Sequence, residues 1–198
     1  MYTFKLEQAI QAAAVLHQDH TRKGSVPIPY ITHLVAVMMI LRDYTNDENT
    51  LVAALLHDTL EDTDYTSDEM KDDFGEEVTA IVETLTEPLY GSEEKLSWKE
   101  TKLRYAKQIK CGPLAAVQIA AADKAHNFRS VVEEYHEDHS RFMKDFGTKL
   151  EQRLDAYQLI ANSVNSRLKD GIVHEFNHTF EAYKKFILDV QTSKENNY

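Results

Sequence analysis

Apolar residues recur at helical spacing along almost the whole chain. Leu6, Ile10, Ala13 and His17 fall at i, i+4, i+7 and i+11 and predict one face of a first helix. Gly24, Pro27 and Pro29 then break the pattern and predict a loop from Thr21 to Tyr30. A second helix is predicted over 31–42. Thr45-Asn46-Asp47-Glu48 reads as a capping box, Thr45 at the N-cap and Glu48 three residues on. It predicts a third helix running through Leu51, Ala54, Leu55 and Asp58. Thr66-Ser67-Asp68-Glu69 is a second box, opening a short helix that ends near Phe74-Gly75. Further helices are predicted over 76–85, 92–109, 113–134, 141–168 and 172–190. No stretch alternates cleanly as a strand, and the best β-branched run, 78–85, is compatible with a helix. The expectation is an all-α bundle forming a single domain, 1–198. Its core is expected over about 5–165, followed by a C-terminal helix at about 172–190 and a frayed polar tail over 192–198.

Composition narrows the function classes. Six glycines and four prolines are too few for a turn-rich β-sandwich, and an apolar fraction of 42 % is too high for a disordered chain. With 22 basic and 33 acidic residues the formal charge is −11, which argues against a broad nucleic-acid-binding face. A small phosphorylated substrate needs only a local cationic pocket or a metal and stays open. One cysteine, Cys111, excludes an internal disulfide framework and a Cys-rich zinc module; it is expected to be a small buried residue near a helix end. The opening Met1-Tyr2-Thr3-Phe4-Lys5 does not read as a signal peptide, and no run of about 18 apolar residues occurs. The expectation is a soluble, cytoplasmic protein with no membrane partner and an undefined oligomeric state.

Acids interrupt two of the apolar faces. His57-Asp58 follows Leu51-Val52-Ala53-Ala54-Leu55-Leu56, and on one helix Asp58 shares the face of Leu51, Ala54 and Leu55. His57 with Glu61, and Asp58 with Asp62, would then be i,i+4 neighbours. A buried carboxylate is costly unless it is paired, and a metal is one way to satisfy it; an exposed acidic helix end is the plainer reading. Asp123 repeats the pattern, with Ala116, Ile119, Ala120, Asp123 and Asn127 at i, i+3, i+4, i+7 and i+11. His33 stands near the start of the second helix, where a capping or core role is the plain alternative. Such acids and histidines could neutralise one another, or could form a ligand set for manganese, iron or zinc.

The order His33 … His57-Asp58 … Asp123 resembles the signature of HD-domain metal-dependent phosphohydrolases. The similarity narrows to the RelA/SpoT-type hydrolase domain. His17-Gln18-Asp19-His20-Thr21-Arg22-Lys23-Gly24 followed by Pro29-Tyr30-Ile31-Thr32-His33 resembles its opening. So do His57-Asp58-Thr59-Leu60-Glu61-Asp62-Thr63, Phe74-Gly75 and Ala122-Asp123-Lys124-Ala125-His126-Asn127-Phe128-Arg129, in the family's order from about residue 5 to about residue 160. The resemblance implies an all-helical HD-domain bundle. It implies that His33, His57, Asp58 and Asp123 hold one divalent metal ion, usually Mn²⁺, and that Glu61 and Asp62 serve the hydrolysis. Arg22 and Lys23 match a basic pair beside the substrate, and Asn127 a nucleotide-contacting Asn. The reaction implied is removal of the 3′-pyrophosphate of guanosine tetra- or pentaphosphate (ppGpp or pppGpp), giving GDP or GTP and pyrophosphate. In that scheme the metal polarises a phosphoryl oxygen and acidifies water, while Glu61 with Asp62 orients the water and takes its proton.

Some positions depart from the family pattern. Leu34 stands where the family usually has Pro, and after Arg129 the match thins. Gly147-Thr148-Lys149 and Tyr157 are the nearest counterparts of the family's later substrate contacts, and Lys149 is as well read as a surface lysine. A chain of 198 residues leaves no room for a synthetase domain, so a stand-alone small hydrolase is expected. Two other readings stay open: an HD phosphohydrolase acting on another nucleotide or phosphoester, and a non-catalytic nucleotide-binding regulator. His174-Glu175-Phe176-Asn177-His178 spells the zinc-protease pattern H-E-x-x-H, but only 20 residues follow, without a strand, and the pair is read as incidental. Glu133, Glu134, Glu137 and Asp138 with His136 and His139 are read as a solvated loop.

Overall fold

In a computed structural model the chain is described over residues 2–88, 94–147, 149–169 and 171–195, and these residues form helices with no strand. In chain order the helices are α1 (Phe4–Leu16), α2 (Ile31–Arg42), α3 (Glu48–Leu56), α4 (Thr59–Asp62), α5 (Ser67–Phe74) and α6 (Glu76–Leu85). They continue with α7 (Trp98–Cys111), α8 (Leu114–Tyr135), α9 (His139–Phe146), α10 (Leu150–Arg167) and α11 (Ile172–Glu195). The all-α expectation holds, and α2 and α6 occupy the segments that their periodicity predicts. Thr66 caps α5 through the reciprocal box with Glu69.

Other boundaries differ from expectation for identifiable reasons. The cap of α3 is Asp47, whose carboxylate accepts from Thr50 N; Thr45 instead accepts from Asp47 N. The helix expected from 92 begins at Trp98, capped by Ser97 and Glu100, while Ser92 lies outside the described residues. The single helix expected over 141–168 is two helices. Gly147 stops α9 with φ of 80°, a left-handed conformation that glycine reaches without the Cβ penalty. Gly147 and Lys149 flank Thr148, which lies outside the described residues. The last helix is longer than the expected 172–190 and continues through Glu195; residues 196–198 lie outside the description. Cys111 is exposed, at the end of α7, and not buried.

The helix α8 runs through the middle of the bundle. Its small buried residues Ala116, Ala120, Ala121, Ala122 and Ala125 bring neighbouring backbones close, with α2, α3 and α6 packed on it on one part and α10 and α11 on another. The helix α3 is buried from Thr50 to Leu56. The lower half of α8 is fixed by rings: Phe128 stacks on Phe180 and Tyr183 and meets Tyr157 edge-on. Such aromatic clusters add about 0.5–1.5 kcal/mol per pair beyond their area burial. One continuous apolar core therefore reaches from Leu6 in α1 to Val190 in α11. Among the described residues, no helix is long and apolar enough to cross a membrane.

Candidate metal centre and the cavity beside it

His33, His57, Asp58 and Asp123 converge from separate parts of the chain. His33 sits in the first turn of α2, His57 and Asp58 form the junction between α3 and α4, and Asp123 lies midway along α8. His33 Nε2 is 3.3 Å from Asp123 Oδ1 and 3.7 Å from Asp58 Oδ2. His57 Nε2 is 3.2 Å from Asp58 Oδ2 and 3.8 Å from Asp123 Oδ1. Both Nε2 atoms are buried and make no hydrogen bond. One ligand atom from each of His33, His57 and Asp58 lies within 4.8 Å of the others.

The junction that carries His57 and Asp58 is not the continuous helix the spacing predicts. The His57 ring takes the carbonyl that would extend α3: His57 Nδ1 donates to Ala54 O at 2.8 Å. Asp58 then starts a new turn, its carbonyl accepting from Asp62 N at 2.9 Å. Because a carbonyl only accepts, Nδ1 carries the proton, and in the neutral ring Nε2 presents a lone pair to the two carboxylates. Burial works against charge on His57. The carboxylates of Asp58 and Asp123 outweigh it, so without an ion this imidazole holds a proton well above the ordinary range. Burial likewise disfavours the charge on Asp123, but Lys124 foremost, then His33 and His57, keep its carboxyl well below the usual value. Two buried imidazole Nε2 atoms without a hydrogen bond, facing two carboxylate oxygens, are a donor set that fits a divalent cation once the nitrogens are deprotonated.

Three side chains that sequence reasoning did not single out hold these groups in place. Tyr30 Oη donates to Asp58 Oδ2 at 2.6 Å. Lys124 Nζ donates to Asp123 Oδ2 at 2.7 Å, leaving Oδ1 turned toward the histidines. His126 Nδ1 faces His33 Nδ1 at 2.9 Å. All three lie within segments quoted for their family resemblance, which was the available signal.

Glu61 and Asp62 leave the same junction in different directions. Glu61 Oε2 accepts from Glu87 N, just beyond α6, at 3.1 Å. Protein packed around the Glu61 carboxyl pushes it up to about 7, the Glu87 N–H opposing and nearby acids adding to the rise. Asp62 lines a hollow on the opposite flank with Asp19, His20, Thr21 and Tyr30. The basic pair is also split. Arg22 donates to Asn127 Oδ1 at 2.7 Å, and Asn127 donates in turn to Asp123 Oδ1. Lys23 donates to Asp145 O and lies over the Phe146 ring. An isolated bridge between Thr21 and Pro29 fixes the loop that carries both.

Arg22, Lys23, Tyr30, His126 and Asn127 border one cavity of about 620 Å³, closed on its far side by Phe146, Arg153, Tyr157 and Tyr183. Tyr157 therefore belongs to the cavity, while Lys149 is an exposed residue at the N-cap of α10. The acids expected in a solvated loop are partly structural. Glu133 and Glu134 lie in the last turn of α8, Glu134 accepts from Ser25 N and pairs with Arg141, and Asp138 caps α9. His174 and His178 are exposed on α11 and belong to no ligand cluster among the described residues.

The HD domain family matches residues 9–162, which contain all of these centre and cavity side chains except Tyr183. The chain belongs to the HD domain family. This HD domain is 37 % identical over 133 residues to the bifunctional (p)ppGpp synthase/hydrolase SpoT of Escherichia coli K12, covering 64 % of this chain and 18 % of that one. The chain thus spans less than a fifth of the length of the curated relatives it first matches. It is 34 % identical over 129 residues to the guanosine-3′,5′-bis(diphosphate) 3′-pyrophosphohydrolase MESH1 of Drosophila melanogaster, covering 64 % and 69 %. Among solved structures, a metazoan ortholog of SpoT described as hydrolysing ppGpp superposes with a TM-score of 0.73 at 24 % identity, covering 91 % of this chain and 96 % of that one. A Listeria monocytogenes protein superposes with a TM-score of 0.66 at 29 % identity, covering 80 % and 96 %.

Proposed function

We propose that this HD domain hydrolyses the 3′-pyrophosphate of ppGpp and pppGpp, releasing GDP or GTP and pyrophosphate, with one divalent ion, Mn²⁺, at His33, His57, Asp58 and Asp123. The observation that carries the proposal is adjacency. The cluster of His33, His57, Asp58 and Asp123 lies one hydrogen bond behind the wall of a cavity of about 620 Å³, through His126 on His33 and Asn127 on Asp123, with Arg22 on the same wall. That volume suits a nucleotide, and the relatives named for ppGpp hydrolysis support the choice among nucleotides.

When bound, the ion supplies Lewis-acid polarisation of the phosphoryl group and acidifies water. The remaining work falls to the chain. Arg22 and Lys23 offset substrate phosphate charge inside a protein whose formal charge is −11. Asn127, held between Arg22 and Asp123, ties the nucleotide wall to the centre. Glu61 takes the proton of the attacking water.

The test is the metal content of the purified protein followed by a Mn²⁺ assay on a nucleotide panel. Pyrophosphate released from ppGpp supports the proposal. Turnover confined to another nucleotide or phosphoester moves the substrate and keeps the centre. Tight nucleotide binding without turnover makes the chain a regulator.

A further inference from the structure

We propose that His126 is a substrate-positioning residue whose hydrogen-bonding sense is set by the metal centre. Its Nδ1 faces His33 Nδ1 at 2.9 Å, and its ring lines the cavity. Its Nε2 has no protein partner among the described residues and is left to whatever fills that cavity. The inference rests on the phosphohydrolase reading but not on which nucleotide is the substrate.

Only one proton fits between two nitrogens 2.9 Å apart, so one ring donates and the other accepts. A cation at His33 Nε2 requires the lone pair there, which puts the His33 proton on Nδ1. His126 Nδ1 then accepts, and the His126 proton stands on Nε2, pointing a donor at the cavity. With the centre empty, His33 is free to keep its proton on Nε2, 3.3 Å from Asp123 Oδ1. His126 then donates from Nδ1 and turns a lone pair toward the cavity, where it repels phosphoryl oxygens. Arg22 and Asn127 line the same wall, so the switched donor falls among the groups that take the substrate's anionic oxygens. Metal occupation and substrate affinity are coupled reciprocally through one shared proton.

The test uses the full chain with ¹⁵N-labelled histidine, diamagnetic Zn²⁺ as the metal probe and inorganic pyrophosphate as the ligand probe. Zn²⁺ is expected to move His126 from the Nδ1–H to the Nε2–H form. In His126→Asn the side-chain oxygen replaces Nδ1 as acceptor and the cavity donor is lost. Zn²⁺ affinity should stay within about twofold, while pyrophosphate binds about tenfold more weakly. In His126→Gln the amide reaches the Nε2 position and the link to His33 is lost. Pyrophosphate affinity should stay within about threefold, while Zn²⁺ binds about tenfold more weakly. A wild-type His126 ring that keeps its tautomer on Zn²⁺ loading overturns the proposal, and so do equal losses of both ligands in both variants. The tautomer is read on unmodified protein, so misfolding of a variant does not shield the idea. Absence of ppGpp turnover in a wild type that shows the tautomer change defeats the substrate reading alone.

Discussion

The chain carries two histidine pairs that spell metal sites, and they differ in every physical respect except their chemistry. His33 and His57 are 1 % and 4 % exposed, their Nε2 atoms lack hydrogen bonds, and two ionised carboxylates face them. His174 and His178 stand one turn apart on the open face of α11. The acid between them, Glu175, is committed to Arg129 and Tyr44. Letters at ligand spacing become ligands only where burial withholds water from the nitrogen and a second element brings opposing charge. The first pair meets both conditions because α2, the α3–α4 junction and α8 meet there; the second pair meets neither.

Breaking the first region should have the largest effect. Asp58→Ala removes an oxygen that faces both His33 and His57. Metal content by elemental analysis should collapse, with a loss of about 10³-fold or more in turnover. Full activity in that variant would show that the buried His33–His57 pair holds no catalytic ion. Glu61→Gln should be milder and cleaner, lowering kcat by about 10²- to 10⁴-fold with metal content unchanged. The same residue sets a pH dependence. A base acts ionised, and this carboxyl is pushed up to about 7 in the metal-free protein, so its carboxyl signal should titrate near there. Activity should fall as pH drops, with an acid limb at or below that value because a bound cation favours ionisation. A Glu61 limb that lies above it, or one unmoved by Glu61→Gln, would remove Glu61 from the reaction. The smallest effect belongs to the second region. His174→Ala combined with His178→Ala should leave phosphohydrolysis intact and stability within about 0.5 kcal/mol per site.

The sequence exposes the scaffold of this molecule better than its seams. Periodicity was sufficient for α2 and α6 because apolar stripes report which face is buried. It overlooked the break at His57, since a side chain competing for a backbone carbonyl leaves no periodic trace, and it ran α9 into α10 because Gly147 acts through its φ alone. Of the candidate ligands, Asp58 and Asp123 were legible as acids on apolar faces, while the full set with His33 and His57 came with the family resemblance. Their supports were not legible. Adjacent helical residues do not face each other, yet the long arm of Lys124 curls back to Asp123, a contact that spacing rules disallow. Tyr30 meets Asp58 and His126 meets His33 across 28 and 93 positions of chain, so only the folded chain brings those pairs together.

At the end of α3 one hydrogen bond does two jobs, because the carbonyl of Ala54 both orients an imidazole and is lost to the helix ladder. Folding and function therefore compete for the same oxygen. Replacing His57 by leucine would return that carbonyl to the backbone, let α3 and α4 merge, and favour a sturdier, inert protein. The interruption is a standing thermodynamic concession that keeps a reactive site where an unbroken rod would otherwise form.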